Sequence, residues 1–166
     1  MGLTASLFFI ALLIGASAFF SIAEISMAAA RRLRLRQMAD EGETRALRVI
    51  EVQEQPGNYF TVVQIGLNAV AILGGIVGEG ALTPYLVQAL VYAGIAQGTA
   101  QSLGFVLSFL LVTSLFILFA DLFPKRLGMI QPEQMAIRVV RPMSWWATLL
   151  RPVAIVLPLQ ARRLSR

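Results

Sequence analysis

Residues 103–126 read LGFVLSFLLVTSLFILFADLFPKR, and this stretch decides the class of fold. Residues 103–120 carry no charged side chain, and a run of roughly 20 apolar residues is what an α-helix needs to cross a bilayer. Soluble domains contain roughly 25% charged residues, whereas this chain of 166 residues has 14% charged and 57% hydrophobic residues. The sequence therefore predicts a membrane protein.

Two further apolar segments are long enough to span, and each is followed by turn-forming or charged residues. The second segment is predicted to end at Gly78-Glu79-Gly80, residues 94–101 to form a loop, and the third segment to end at Pro124. The three predicted transmembrane helices lie at about residues 3–30, 59–80 and 103–123.

Basic residues flank these spans on one side only, because all 14 Lys and Arg residues lie in residues 31–55 and 125–166. Basic residues next to a span stay in the cytoplasm, so we predict an external N-terminus and a cytoplasmic C-terminus. Residues 31–55 predict one or two short cytoplasmic helices. Residues 127–166 predict amphipathic helices that lie on the cytoplasmic interface, with a re-entrant hairpin as the alternative. The predicted fold is all-α, with three transmembrane helices and cytoplasmic juxtamembrane amphipathic helices.

The composition excludes several kinds of chemistry. The chain has no cysteine and no histidine, which removes thiolate or imidazole metal sites and the usual general bases of hydrolytic enzymes. The basic residues flank apolar spans and do not form a patch with interleaved aromatics, so we expect no nucleic-acid partner. No nucleophile–base pair is apparent, and we do not expect an enzyme.

Polar residues inside the spans are candidates for function, because burying them in lipid is costly. In the first span Ser17, Ser21 and Glu24 share one helix face. The alternatives are helix packing for the serines and pairing with an arginine for Glu24. In the second span Gln64 and Asn68 lie on one face, where Asn68 either bonds across helices or offers its carbonyl oxygen to a ligand.

The third span ends with an acidic residue next to a proline. Pro124 has no N–H to donate to the Ala120 carbonyl, so this oxygen is predicted to serve as a ligand beside the Asp121 carboxylate. Carboxylates and carbonyls at broken helices are how membrane transporters bind cations. The alternative is that Asp121 pairs with Lys125 and the proline only ends the helix.

Together these side chains provide oxygen ligands without nitrogen or sulfur. Ser21, Asn68 and Asp121 are the predicted cation ligands, and such a set suits magnesium or an ammonium group that donates hydrogen bonds.

Three motifs on these segments resemble one family. They are FFSIAEIS at residues 19–26, QIGLNAVAILGG at 64–75 and ADLFPKR at 120–126. In this order they look like the CNNM/CorC family of transmembrane domains, and the resemblance covers essentially residues 1–166. It implies a homodimer with three spans that exports magnesium, with Na⁺ as the coupling ion in some members. It also implies that the cytoplasmic juxtamembrane helices, here within residues 127–166, form a belt. Cytoplasmic CBS domains, through which ATP would act, are expected in the family and are absent from these residues.

The resemblance leaves two substrates and one other class of function open. Many magnesium-transporting members have asparagines where this chain has Leu67 and Ala71, and the motifs look closest to a bacterial subgroup linked to putrescine and cadaverine export. We expect magnesium export across the bacterial inner membrane, with diamine export as the alternative. A membrane anchor that dimerises and senses without transport is the third possibility.

Overall fold

A computed structural model describes the backbone of residues 3–164 and the side chains of residues 4–149. The described residues form helices and no strand, as the sequence predicts. The seven α-helices are α1 Leu3–Ala29, α2 Arg32–Asp40, α3 Arg45–Glu54, α4 Pro56–Tyr92, α5 Gln97–Leu115, α6 Phe123–Ile130 and α7 Pro132–Leu164, and a π-helical segment, Phe116–Leu122, joins α5 to α6.

Three continuous helical stretches are apolar and long enough to cross a membrane. They are Thr4–Ala29, Pro56–Tyr92 and Gln97–Ile130. At most 28% of the most apolar window of each stretch is buried within the protein. Large apolar side chains such as Phe8, Ile76 and Phe105 are exposed, as expected for helices whose outer faces contact lipid.

The second and third spans are longer than the sequence indicates. Helix α4 continues through Gly80 and Pro84 to Tyr92, and α5 already begins at Gln97, so the predicted loop shrinks to residues 93–96. In water, glycine and proline mark turns, but in lipid the backbone N–H and C=O groups have no other partner than the helix. The helix therefore continues past Gly80 and Pro84, where the sequence predicts its end.

Pro124 also lies inside a helix and does not end the third span. Immediately before it, the backbone adopts the wider π-helical geometry, and the N–H of Phe123 donates to the carbonyl of Leu118, five residues earlier. Proline cannot donate a bond and its ring clashes with the carbonyl four residues before it. The π-helical segment shifts the hydrogen-bond register and lets the helix continue to Ile130.

Residues 132–164 form one helix with Pro142, Pro152 and Pro158 in its interior, where the sequence predicts several shorter helices. A continuous helix also differs from the re-entrant hairpin considered above. The last predicted belt residues, 165–166, lie outside the described residues, and side chains are described only to Leu149.

The described residues divide into two compact units. The hairpin unit comprises the described part of residues 1–18 with 68–123, and the arginine-rich unit comprises residues 19–67 with the described part of 124–166.

The hairpin unit depends on close antiparallel packing of α4 against α5. A Cβ atom built on Gly78 would lie 2.5 Å from Cγ1 of Val112, and one built on Gly104 would lie 2.5 Å from Cγ2 of Val87. Gly74 faces the ring of Phe116 in the same way. Small residues let membrane helices approach closely and gain van der Waals contact. An added Cβ atom at Gly78 or Gly104 would therefore clash with a β-branched side chain across the α4–α5 contact, whereas at Gly74 it would meet the Phe116 ring on the π-helical segment.

The arginine-rich unit has its own apolar core. Helix α3 packs against both α2 and α7. Its buried residues Ala46, Val49 and Ile50 follow the spacing of one helix face. The remaining buried core residues of this part are Leu35 on α2 and Ala136, Ile137, Val139, Val140 and Met143 on α7.

Polar contacts stabilise the corner between the end of α1 and the start of α2. The Gln53 amide donates from Nε2 to the carbonyls of Met27 (3.1 Å) and Ala30 (2.8 Å), which lie at the C-terminal end of α1. Glu133, at the start of α7, accepts bonds from the Arg31 backbone N–H (3.2 Å) and from Arg31 Nε (3.3 Å). These side chains satisfy backbone groups that a helix end leaves unpaired.

The Glu133 contact should make stability depend on pH. Burial alone raises the pKa of Glu133, but the N–H groups of Glu133 and Arg31 and the Arg31 guanidinium lower it, and the net pKa lies below the ordinary 4.5. A carboxylate with a lowered pKa stabilises the folded state above its unfolded pKa, and this stability is lost as pH falls through the folded pKa. Glu133→Gln should lower stability by about 1 kcal/mol at neutral pH.

Thermal unfolding in detergent, followed by helical circular dichroism at a series of pH values, measures this effect. The gap in melting temperature between the wild type and Glu133→Gln should be constant above pH 4.5 and should close in more acid solution. An equal gap at every pH would show that the carboxylate charge is not what stabilises the corner.

Candidate functional site

A polar cluster joins three spanning helices in the arginine-rich unit. Gln64 Nε2 on α4 donates a 2.6 Å hydrogen bond to Glu24 Oε1 on α1. Lys125 Nζ on α6 lies 3.6 Å from the other carboxylate oxygen, Glu24 Oε2. The side chains of Glu24 and Lys125 are 22% and 34% exposed. The carboxylate is thus shared between an amide donor and a primary ammonium.

The ion pair of Glu24 differs from the one considered from sequence. Glu24 was considered a partner for an arginine, but its ion pair is with Lys125, about one hundred residues away in the chain. Thr61, which precedes Gln64 by three residues, donates to the carbonyl of Gly57 in its own helix. Of Thr61 and Gln64, Gln64 is the residue whose described hydrogen bond reaches α1.

Residues next to the cluster on α1 and α4 are buried. Ser21 and Ser26 on α1 are fully buried, and Ser21 makes a polar contact of its own. Among the described residues, the Ser26 hydroxyl has no hydrogen-bond partner. Tyr59 on α4 is buried and donates from its hydroxyl to the Ala23 carbonyl at 3.1 Å. Close packing of α1 against α4 therefore holds the Glu24 and Gln64 backbones in place.

Small residues support this packing. A Cβ atom on Gly66 would lie 2.6 Å from the Phe20 ring, and a Cβ atom on Gly128 would meet Ile25. Pro124, the supporting residue predicted next to Lys125, is also buried. Because these glycines have no side chain, α1 can lie close to α4 and α6. At this separation Gln64 and Lys125 lie within contact distance of the Glu24 carboxylate.

The other predicted site residues belong to the hairpin unit. Asp121 lies on the π-helical segment and is partly buried, and Ala120 next to it is buried. Both residues already make interactions. Ser17 is buried, whereas Asn68 is exposed in the protein. The role of Asp121 and Asn68 as cation ligands stays a prediction, as does the supporting role of Ala120 and Ser17.

Sequence reasoning missed a second polar cluster, centred on Glu79 within α4. Thr83 Oγ1 donates to the Glu79 carbonyl (2.8 Å) and lies 3.1 Å from Glu79 Oε1. The buried Ser108 of α5 donates to the same carbonyl at 3.2 Å. The sequence contained one signal for this cluster, the uncharged stretch of residues 81–102 that follows Glu79. Gly78 and Gly80, on either side of Glu79, instead suggested that the span ends there.

The Glu24 carboxylate can accept hydrogen bonds from cations that carry N–H donors. An amine bound to a carboxylate forms charge-assisted hydrogen bonds, and the Lys125–Glu24 pair is an intramolecular example. Among the residues that the structure describes, no group of three acidic side chains has the arrangement of a metal site.

Comparison with known proteins decides the family. The Cyclin M transmembrane N-terminal domain family (CNNM) matches residues 8–166. The chain belongs to the CNNM transmembrane domain family. This confirms the resemblance seen in the three sequence motifs, and the family is one of membrane transporter domains and not of enzymes.

Several bacterial relatives of this CNNM domain carry the same description. A "Polyamine export protein" of Salmonella typhimurium is 52% identical over 148 residues, which cover 89% of this chain and 33% of the relative. The protein of that description in Escherichia coli is 52% identical over 84% of this chain and 31% of the relative. In Haemophilus influenzae the corresponding values are 46%, 85% and 32%. The chain thus spans about a third of the length of these relatives.

Proposed function

We propose that this CNNM domain is the membrane part of an exporter of aliphatic diamines such as putrescine and cadaverine. The observation that carries the proposal is the Glu24 carboxylate, held inside the spanning region between the Gln64 amide and the Lys125 ammonium. The relatives described as polyamine export proteins, at 46–52% identity, point to the same substrate class.

In this mechanism the Lys125 ammonium occupies the place that a substrate ammonium takes during transport. A diamine is an alkyl chain with an ammonium at each end, so one end can replace Lys125 on Glu24. Gln64 keeps the second carboxylate oxygen in place while the ion pair exchanges. Because one ammonium replaces another, the net charge at Glu24 does not change during the exchange. The free-energy cost of the exchange therefore stays low in a medium of low dielectric constant.

Asp121 provides a further anionic group, on the π-helical segment of the hairpin unit. We assign it a part in carrying the positive charge of the substrate, and we keep Ser21 and Asn68 as neutral oxygen ligands. π-Helical turns inside α-helices occur frequently at functional sites. The carboxylate next to such a turn supports this assignment.

Magnesium export is the second candidate, and the oxygen-only set of Ser21, Asn68 and Asp121 favours it. Mg²⁺ binds carboxylate and carbonyl oxygens and retains several of its waters. A hydrated ion of this kind needs few direct protein ligands. A membrane anchor that senses without transport is the third candidate and predicts no flux of either cation.

The orientation and assembly also belong to the proposal. The distribution of Lys and Arg supports an orientation with residues 31–55 and 125–166 on the cytoplasmic side of a bacterial inner membrane and the N-terminus outside. We propose a homodimer, with Na⁺ as the driving ion. ATP would act only through CBS domains outside residues 1–166.

Transport by the full-length protein tests the proposal. Inverted membrane vesicles should take up labelled putrescine, and Asp121→Asn should reduce the uptake at least tenfold, because it removes a charge that compensates the substrate. Asp40→Asn is the matched control, since Asp40 is exposed at the end of α2, outside the spans. Unchanged uptake by Asp121→Asn would remove Asp121 from the site, and magnesium uptake without putrescine uptake would favour the second candidate.

A further inference from the structure

Arginines from two helices of the arginine-rich unit line an open groove. The arginine groove is about 420 Å³ in volume and lies between α3, with the residue before it, and α7. Its lining residues are Thr44, Arg45, Leu47, Arg48, Glu51 and Arg141. None of them belongs to the transport site described above.

One arginine of the groove is fixed in direction by an acidic neighbour. Arg45 Nε and Nη2 each donate a 2.7 Å hydrogen bond to the Glu43 carboxylate. This bidentate pair leaves Arg45 Nη1 for another acceptor, since a guanidinium carries five N–H donors in a planar fork. The Arg45 hydrogen bond lowers the pKa of Glu43 to about 2, and the charge of Arg141 contributes further. Glu43 therefore stays ionised and keeps Arg45 oriented.

The other two arginines have charges that are not paired within the described part of the chain. Arg48 and Arg141 are exposed, and neither forms an ion pair within 4.0 Å of a described acidic group. The three arginines carry three positive charges, and Glu43 and Glu51 carry two negative charges, so the groove together with Glu43 has an excess of one positive charge. That excess matches the single negative charge of a phosphodiester.

Apolar and aromatic side chains next to the groove indicate what carries the phosphate. Leu47 lines the groove and is 52% exposed, and Trp145 is 72% exposed. Trp145 follows Arg141 by four residues, so both lie on one face of α7. Exposed tryptophans beside arginines are typical of helices that lie at the level of lipid headgroups.

We propose that the arginine groove is a binding site for the phosphate group of an anionic phospholipid such as phosphatidylglycerol. The guanidinium forks of Arg48 and Arg141 and the remaining Nη1 of Arg45 bind the phosphate oxygens, while Leu47 and Trp145 contact the upper part of the acyl chains. Bidentate arginine–phosphate contacts give geometric specificity in addition to charge. The site is independent of which cation is transported and concerns how α3 and α7 attach to the bilayer.

Native mass spectrometry of the purified chain tests the site in mixed micelles that contain equal amounts of phosphatidylglycerol and phosphatidylcholine. The wild type should retain one phosphatidylglycerol in preference to phosphatidylcholine. The double variant Arg48→Gln/Arg141→Gln should lose this retention about tenfold, because two charge-assisted contacts are removed. The matched control Arg34→Gln/Arg36→Gln removes the same charge from α2 and should retain the lipid as the wild type does.

Two further measurements separate the possible outcomes. Arg48→Lys/Arg141→Lys keeps the charge without the planar fork and should bind with intermediate strength, with a helical signal equal to that of the wild type. Inorganic phosphate added in excess should compete only weakly, because it lacks the acyl chains. The proposal is overturned by equal losses in the two glutamine double variants, by equal retention of both lipids, or by complete displacement with inorganic phosphate at the concentration of the lipid.

Discussion

Replacing Lys125 with glutamine should tighten the binding of cadaverine about fivefold to tenfold, and replacing Glu24 with glutamine should weaken it by at least tenfold. The opposite signs follow from the contact between the two side chains. Lys125 Nζ lies 3.6 Å from Glu24 Oε2, where a substrate ammonium would bind. Removing the lysine removes a competitor, whereas removing the carboxylate removes the acceptor. Calorimetric titration of the purified protein measures both effects.

Neighbouring residues provide matched controls for these two variants. Arg126→Gln removes an exposed positive charge next to Lys125, and Glu54→Gln removes an exposed negative charge at the end of α3. Both should bind cadaverine within about twofold of the wild type, since exposed charges are screened. If Arg126→Gln tightened binding as much as Lys125→Gln, the effect would be one of overall charge, and direct competition at Glu24 would be refuted.

Gly78→Ala should destabilise the hairpin unit by about 1–3 kcal/mol, the usual cost of overpacking a close contact. The added methyl group would lie 2.5 Å from Cγ1 and 2.9 Å from Cγ2 of Val112. Val112 is 3% exposed and its β-branched side chain has little rotamer freedom in a helix. The two helices must therefore move apart and lose contacts elsewhere. Unfolding in mixed micelles of increasing dodecyl sulfate content, followed by circular dichroism, measures the change in free energy.

Gly75→Ala is the control on the same helix. A Cβ atom on Gly75 would have no neighbour within 4 Å, and alanine is favoured over glycine in a helix by up to about 1 kcal/mol. This variant should be as stable as the wild type or more stable. Equal destabilisation by both alanines would contradict the role of Gly78 as a contact with α5 and would point to a need for backbone flexibility.

The number and class of the spans were predictable, because apolarity is a property of each segment by itself. Residues 103–120 are uncharged and must be covered by lipid or protein wherever they lie in the fold. The short helices α2 and α3 were likewise marked by charged residues alternating with apolar ones. Their buried faces, such as Ala46 and Val49, repeat at helical spacing.

Helix ends were less predictable, because rules derived for water do not hold in lipid. Gly80 and Pro84 indicated the end of the second span, but α4 continues to Tyr92. At Pro124 the chain keeps the helix by switching to a π-helical segment. The sequence contains the proline but not the rearranged hydrogen bonds that accommodate it.

The partners within the candidate site depend on packing between distant segments. Sequence position offered an arginine as a partner for Glu24. The structure instead places Lys125 and Gln64 on the Glu24 carboxylate. That arrangement depends on how closely α1 packs against its neighbours, which in turn depends on Gly66 and Gly128. No local pattern in the sequence contains this information.

The central claim, that this domain binds a diamine, is tested most directly by titrating cadaverine and then magnesium chloride into the purified wild-type protein in a calorimeter. The proposed function predicts saturable heat with cadaverine and its loss in Glu24→Gln. Saturable binding of magnesium with no heat from cadaverine would contradict the claim and would return the site to a divalent cation.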